Sequence, residues 1–174
     1  MNSKQTKKYD GFTLIELLVV IAIIGLLASI VLASLNSARS KAQDNAKNSE
    51  VKQIITALEL YFQKHGSYPV TQNNRIKCLG YNGTQVCQTA FNGDVNLNTN
   101  VKEFLPGLKP NTSKVPGGLN GITYSCATDL VDGKCPKYQL IWYLADPNGK
   151  CIGNTTTENL SSKTKCSYST TETF

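Results

Sequence analysis

From Phe12 to Leu35 the chain reads FTLIELLVVIAIIGLLASIVLASL, an almost unbroken apolar run that contains one ionisable residue, Glu16. Nothing else in the sequence limits the possible folds as strongly. As a helix, 24 residues rise about 36 Å, enough to cross a hydrocarbon core of about 30 Å. No proline interrupts the run. Apart from Glu16 its polar residues are the hydroxyls Thr13, Ser29 and Ser34, which can return hydrogen bonds to the helix backbone, and Lys4, Lys7 and Lys8 precede it. This is the pattern of a membrane segment. A cleaved secretory signal has a similar look, with small residues after its apolar core, and LASLNSA does follow here. The run is too long for such a signal, however, and helical character continues well past it. An uncleaved signal anchor is the stronger rival.

Glu16 has two readings. Thr13-Leu14-Ile15-Glu16 fits a capping box, in which a hydroxyl and a carboxylate satisfy the free N–H groups of a helix start, and negative charge suits a helix N-terminus. Against a purely local role stands the cost of an acid at membrane depth, about 3 kcal/mol at a helix centre and less toward the interface. Such an acid calls for a cation, and no Lys or Arg lies between Lys8 and Arg39. A cut just before Phe12 would create an amine close to Glu16, or close to Glu16 of a neighbouring copy.

KKYDG followed by FTLIELLVVIAIIGLLAS resembles the prepilin signature of type IV pilins and type II secretion pseudopilins. The resemblance covers roughly the first third of the chain. It implies a basic leader ending at Gly11, cleavage by a membrane aspartyl peptidase between Gly11 and Phe12, and N-methylation of Phe12. It also implies an assembly role for Glu16, whose carboxylate attracts the N-terminal amine of an adjacent subunit. Opposite charges attract far more strongly in a low-dielectric setting than in water, and an unpaired one is costly, so the pair favours one axial stagger. The chain departs from many such sequences by carrying Ala33 where they have proline, while the common Gly25 is present. Alanine has the highest helix propensity, so the helix is expected to stay continuous there.

The helix does not end at Leu35. No proline or glycine occurs from Asn36 to His65, and apolar residues recur at Ala38, Ala42, Ala46, Val51, Ile54, Ile55, Leu58, Tyr61 and Phe62, mostly three or four apart. The alanines form a thin stripe; the later residues are bulky and need a partner surface. HGSYP stops the helix, with Gly66 suited to the left-handed position after the cap. A helix from Phe12 to Lys64 would extend about 80 Å and carry a head near its far end. From Ser67 onward Asn, Thr, Gly and Ser become frequent and turn signals crowd in. Ile122–Cys126 and Lys137–Ala145 read as an antiparallel pair of strands joined by an irregular connection with a turn signal at Asp132-Gly133. Further short strands are expected around Lys150–Ile152 and Cys166–Ser169. The Val51–Phe62 stripe would cover one face of the sheet, met by Trp142 or by its neighbours Ile141 and Tyr143.

All six cysteines, Cys78, Cys87, Cys126, Cys135, Cys151 and Cys166, lie in this head. An even count beyond a membrane segment points to disulfides in an oxidising compartment. Connectivity is open from spacing alone; the sequential pairing closes three short loops, and a loop of about 15 residues restricts the unfolded chain by about 3 kcal/mol in the entropy model. The resemblance implies a disulfide near the C-terminus, which here would be Cys151–Cys166. The spacings match no common zinc pattern. No ligand spacing argues for calcium, and the sequence calls for no metal and no cofactor. It also holds no phosphate loop, paired-histidine motif or nucleophile elbow. The one histidine, His65, sits at the helix end, where it can serve the last carbonyls. Asp129, Asp132 and Asp146 lie in turns, where a local hydrogen bond is the ordinary role. The chain is therefore read as a non-enzyme. Its net charge of +6 leaves +4 after the leader, a mildly basic surface with no aromatic–basic cluster to argue for DNA or another anionic surface.

The resulting expectation is an α+β chain: a long N-terminal helix whose first half spans a membrane and whose second half packs on a small antiparallel sheet. The segments are a leader (1–11), a transmembrane and assembly helix (12–35), its amphipathic continuation (36–65) and a disulfide-stapled head (66–174). The resemblance implies a filament subunit that polymerises with itself and with related pilins. Its partners would be the prepilin peptidase and methyltransferase, an inner-membrane assembly platform, and membrane lipid before assembly. The subunit would start as a single-pass cytoplasmic-membrane protein with its head outside the cytoplasm and end in a surface or envelope filament. The alternatives are a type II secretion pseudopilin and a signal-anchored binding domain that never polymerises.

Overall fold

The computed structural model describes residues 12–81, 85–88, 91–110, 115, 117–127, 130–153 and 155–170. The chain divides into two compact units, residues 1–39 and 40–174. A 52-residue helix, α1 (Leu14–His65), passes through both. It is long and apolar enough in its first part to cross a membrane. Within the first unit the large apolar side chains from Phe12 to Leu35 are all exposed, and helix runs unbroken through residues 25–33.

The second unit is built on a five-stranded sheet. Its strands are β1 (Lys77–Cys78), β4 (Ile122–Cys126), β5 (Tyr138–Leu144), β7 (Lys163–Ser169) and β6 (Thr156–Leu160), in that order, and every neighbouring pair is antiparallel. A two-stranded ribbon, β2 (Val86–Cys87) with β3 (Phe91–Asn92), and a short helix, α2 (Val95–Lys102), lie between β1 and β4 in the chain. The expected pair Ile122–Cys126 and Lys137–Ala145 is present as β4 and β5, with Ile122 opposite Trp142 and Cys126 opposite Tyr138. The Asp132-Gly133 signal is a turn with positive φ at both residues (50° and 72°), closed by reciprocal hydrogen bonds between Val131 and Lys134. The strand expected at Lys150–Ile152 is absent: that segment is irregular, and the edge strand forms later, at Thr156–Leu160. Cys151 is held there by its bond to Cys166 rather than by a ladder.

β-strand alternation sets the core. Along β5 the residues Tyr138, Leu140, Trp142 and Leu144 are buried and their neighbours are not. They meet Val51, Ile54, Ala57 and Leu58 of α1, together with Ile122 and Tyr124 of β4. Trp142, not Ile141 or Tyr143, faces the helix, and it donates from Nε1 to Asn48 Oδ1 at 3.0 Å. The opposite face of the sheet is covered near its middle, where Gln88 Nε2 and Thr123 Oγ1 both donate to the Ile141 carbonyl. Near the far end of α1, Tyr68 and Tyr138 both donate to the Glu59 carboxylate, at 2.9 and 3.2 Å. The helix ends as expected, with Gly66 at φ 67° and its N–H on the Phe62 carbonyl at 2.7 Å.

The turns of α1 from Ala38 to Asn48 reverse one expectation. Ala38, Ala42 and Ala46 are exposed, and the buried positions are polar: Asp44, Lys47 and Asn48. Asp44 Oδ1 and Oδ2 accept the backbone N–H groups of Ala145 and Asp146 at 2.8 and 3.0 Å. Lys47 Nζ donates to the Tyr143 carbonyl at 3.1 Å, and Asn48 Nδ2 donates to the Lys150 carbonyl at 2.8 Å. The end of β5 leaves backbone groups without a strand partner, and only polar side chains can satisfy them away from water. Hence the stripe that meets the sheet is polar for one turn before it becomes apolar at Val51.

Burial lowers the Lys47 amine to about pH 8, against the opposing pull of Asp44 and Glu50. The free lysine value lies near 10.5, so between these values the unfolded chain binds a proton that the folded chain does not. Stability therefore rises with pH, with the gain complete above about 10.5 and gone below about 8. The Tyr124 and Tyr138 phenols are pushed up by burial and oppose this only above the free phenol value near 10. Denaturant unfolding of the full chain in detergent should thus show a gain of about 2 kcal/mol between pH 8 and 10. Lys47→Met should flatten that gain; an unchanged slope in the variant would contradict the assignment.

Candidate functional site

The helix start is where the sequence places its unusual charge. Thr13 is the N-cap of α1 and Glu16 stands three residues on. Glu16 Oε2 accepts the Thr13 backbone N–H at 2.9 Å and the Thr13 hydroxyl at 2.8 Å, and the Glu16 N–H is 3.3 Å from Thr13 Oγ1. The capping box is thus formed, with both Thr13 donors on one carboxylate oxygen. Among the described residues nothing donates to Oε1. Phe12 lies two residues before the helix and is 82% exposed. Gly11 and the residues before it fall outside the described residues. The site thus presents an exposed carboxylate with one lone-pair-rich oxygen unused, on the first turn of an exposed apolar helix.

In the second unit the cysteines pair sequentially, Cys78–Cys87, Cys126–Cys135 and Cys151–Cys166, with Cα separations of 5.7–5.9 Å. The first ties β1 to the β2–β3 ribbon, the second closes the connection between β4 and β5, and the third anchors the irregular segment after β5 to β7. Among the described residues no His, Cys, Asp and Glu group is arranged to hold a metal ion. His65 is not used as expected: Nε2 contacts Glu103 Oε2 at 3.2 Å, and the ring stacks on Tyr61 at 4.2 Å, instead of serving the last carbonyls of α1. Lys64 pairs with the same carboxylate. Asp146 makes the expected turn contact, accepting the Asn148 N–H at 2.9 Å; Asp129 lies outside the described residues. The polar trio Asp44, Lys47 and Asn48 was invisible to a search for apolar periodicity. Its signal was the i, i+3, i+4 spacing of three polar residues continuing the Val51 face.

Residues 6–32 match the prokaryotic N-terminal methylation motif, which contains Gly11, Phe12 and Glu16. The chain is 40% identical over 102 residues to the fimbrial protein EcpB of Eikenella corrodens, covering 53% of this chain and 64% of that one. It is 37% identical over 68 residues to the type II secretion system core protein G of Pseudomonas aeruginosa, covering 39% and 48%. It is 40% identical over 74 residues to the type IV wide pilus major component PilA4 of Thermus thermophilus, covering 42% and 56%. The chain thus spans between about half and just under two thirds of the length of these relatives. No solved structure matches it. In its methylation motif, its apolar helix capped by Glu16 and the partial identities just given, the chain is similar to fimbrial, type IV pilus and type II secretion core subunits.

Proposed function

We propose that the chain is a subunit of an extracytoplasmic filament of the type IV pilus kind. The observation that carries this reading is the reach of the similarity to the fimbrial protein. It covers 53% of the chain, more than the 65 residues that end with α1, and so includes part of the head. The similarity to core protein G covers 39%, about the length of leader plus helix, which both kinds of subunit share. A pseudopilin of a type II secretion system is the second reading, supported by six such relatives at 35–40% identity. A sheared surface fraction distinguishes them: a pilus subunit is recovered there in quantity, a pseudopilin stays in the envelope.

In this reading the precursor sits in the cytoplasmic membrane with its head outside, where the three disulfides form. A prepilin peptidase cuts between Gly11 and Phe12, Phe12 is methylated, and an inner-membrane platform feeds the subunit from lipid into the filament. The carboxylate arrangement favours this sequence of events. Cleavage leaves Thr13 and its two donors in place, so the cap persists while Oε1 stays open to the Phe12 amine of a neighbour. One residue therefore starts the helix and pairs between subunits. Two predictions test this. Mass analysis of filaments should give a chain beginning at N-methylated Phe12, and Gly11→Val should block the cut; filament subunits beginning at Met1 would exclude it. Glu16→Gln keeps the size and the capping ability but removes the charge. It should leave cleavage, insertion and the head intact and lower filament yield at least tenfold, a loss of about 1.4 kcal/mol or more per contact. Wild-type yield from this variant would reduce Glu16 to a helix cap.

A further inference from the structure

One pocket in the head is used by none of this. It is open to solvent, about 550 Å³ in volume, and four elements build it. The end of α1 supplies Tyr61 and His65, the segment after α1 supplies the floor, α2 supplies Asn96, Thr99 and Asn100, and the disulfide-closed turn supplies Lys134. That size lies within the range of about 300–1,000 Å³ typical of small-ligand sites. Its parts are tied to one another. Ser67 Oγ accepts the Cys135 N–H at 3.0 Å, and Tyr68 N–H donates to the Cys135 carbonyl at 2.9 Å, so the floor and the Lys134 turn move together. Tyr61 is braced by the stack on His65 and by an edge contact with Phe104. A rim fixed before binding loses little entropy when occupied.

The chemistry of the lining is specific. Asn96 and Asn100 stand one helical turn apart on α2 and present two amides, each both donor and acceptor, on the same side. Neighbouring hydroxyls of a sugar ring also both donate and accept, and two amides at this spacing match them. The Tyr61 ring gives an apolar face with a polar tip, suited to the C–H face of a sugar. Among the described residues no acidic side chain lines the pocket. The nearby Glu103 is paired with Lys64 and His65, which leaves Lys134, an exposed point charge, as the cation on the rim. A lone lysine without arginine is a weak phosphate or nucleic-acid reader, and the polar lining is wrong for an apolar peptide.

We propose that this pocket binds an acidic saccharide of about two rings, with one ring on Tyr61, its hydroxyls on Asn96 and Asn100, and its carboxylate toward Lys134. The site stands on head residues alone and does not require that the chain polymerise. The test uses the full chain in detergent micelles, with digalacturonate as the acidic probe and cellobiose as the neutral one, read by calorimetry and by saturation-transfer NMR. Digalacturonate should bind with millimolar or tighter affinity. Asn96→Ala with Asn100→Ala should weaken it about tenfold or more, since two hydrogen bonds are lost. Lys134→Ala should weaken digalacturonate several-fold and leave cellobiose unchanged. Both α2 positions are at least partly exposed, so the near-ultraviolet spectrum of the variants should stay that of the wild type. No binding of digalacturonate, equal affinity in the double variant, or a preference for cellobiose would overturn the proposal.

Discussion

The head depends on how one turn of α1 is fastened to the end of β5. Asp44 accepts two successive backbone N–H groups, Lys47 donates to the carbonyl two residues before them, and Asn48 bridges the Trp142 indole to the Lys150 carbonyl. These contacts are directional, whereas the apolar stripe behind them is not. A slide of α1 by one turn, about 5.4 Å, could still bury Val51, Ile54 and Leu58 against something apolar. It would leave a carboxylate, an amine and several backbone groups unpaired, each costing about 1–3 kcal/mol or more. Among the described residues no buried side-chain nitrogen or oxygen lacks a partner in this register. Glu59, receiving two tyrosine hydroxyls about three turns further on, fixes the other end of the same face.

The two parts of α1 have opposite needs. In the second unit its bulky face is spent on the sheet, and the disulfides hold the loops around that core. In the first unit large apolar side chains stand exposed, from Phe12 at 82% to Val20 at 45%. Covering each such side chain is worth about 1.5–3 kcal/mol, so water is not their resting environment. In the proposed function lipid covers them first and neighbouring helices later. The change from one to the other is what the charge at Glu16 would direct, because apolar contact alone does not choose a stagger.

Long, periodic elements were legible in the sequence. The apolar run, the stripe from Val51 to Phe62, the glycine stop at Gly66 and the strands β4 and β5 follow from periods of 3.6 and 2 and from turn chemistry. The strands of two residues, β1 to β3, carry no readable period and form because Cys78–Cys87 and the ribbon register hold them. Helix α2 was passed over as turn-rich sequence. Its start was marked by Asp94, whose carboxylate accepts the Leu97 N–H at 3.1 Å, but VNLNTNVK has low helix propensity and owes its form to burial of Leu97, Asn98 and Val101. Strand β6 is polar and mostly exposed, so its Thr-Thr-Glu-Asn-Leu has no alternation to detect; pairing with β7 creates it. At the helix start the capping box was legible as a spacing, but that both Thr13 donors would converge on a single oxygen was not. That convergence belongs to the folded helix start, and it leaves a cap at Glu16 compatible with the proposed ion pair.

The central claim is that Glu16 serves its own helix and a neighbour at once. A density map of the native filament at side-chain resolution tests this most directly. It should show Glu16 still bonded to its own Thr13 through one oxygen, with the methylated Phe12 amine of an adjacent subunit within about 4 Å of the other. An Oε1 facing only lipid or apolar side chains, with the Phe12 amine paired elsewhere, would contradict it.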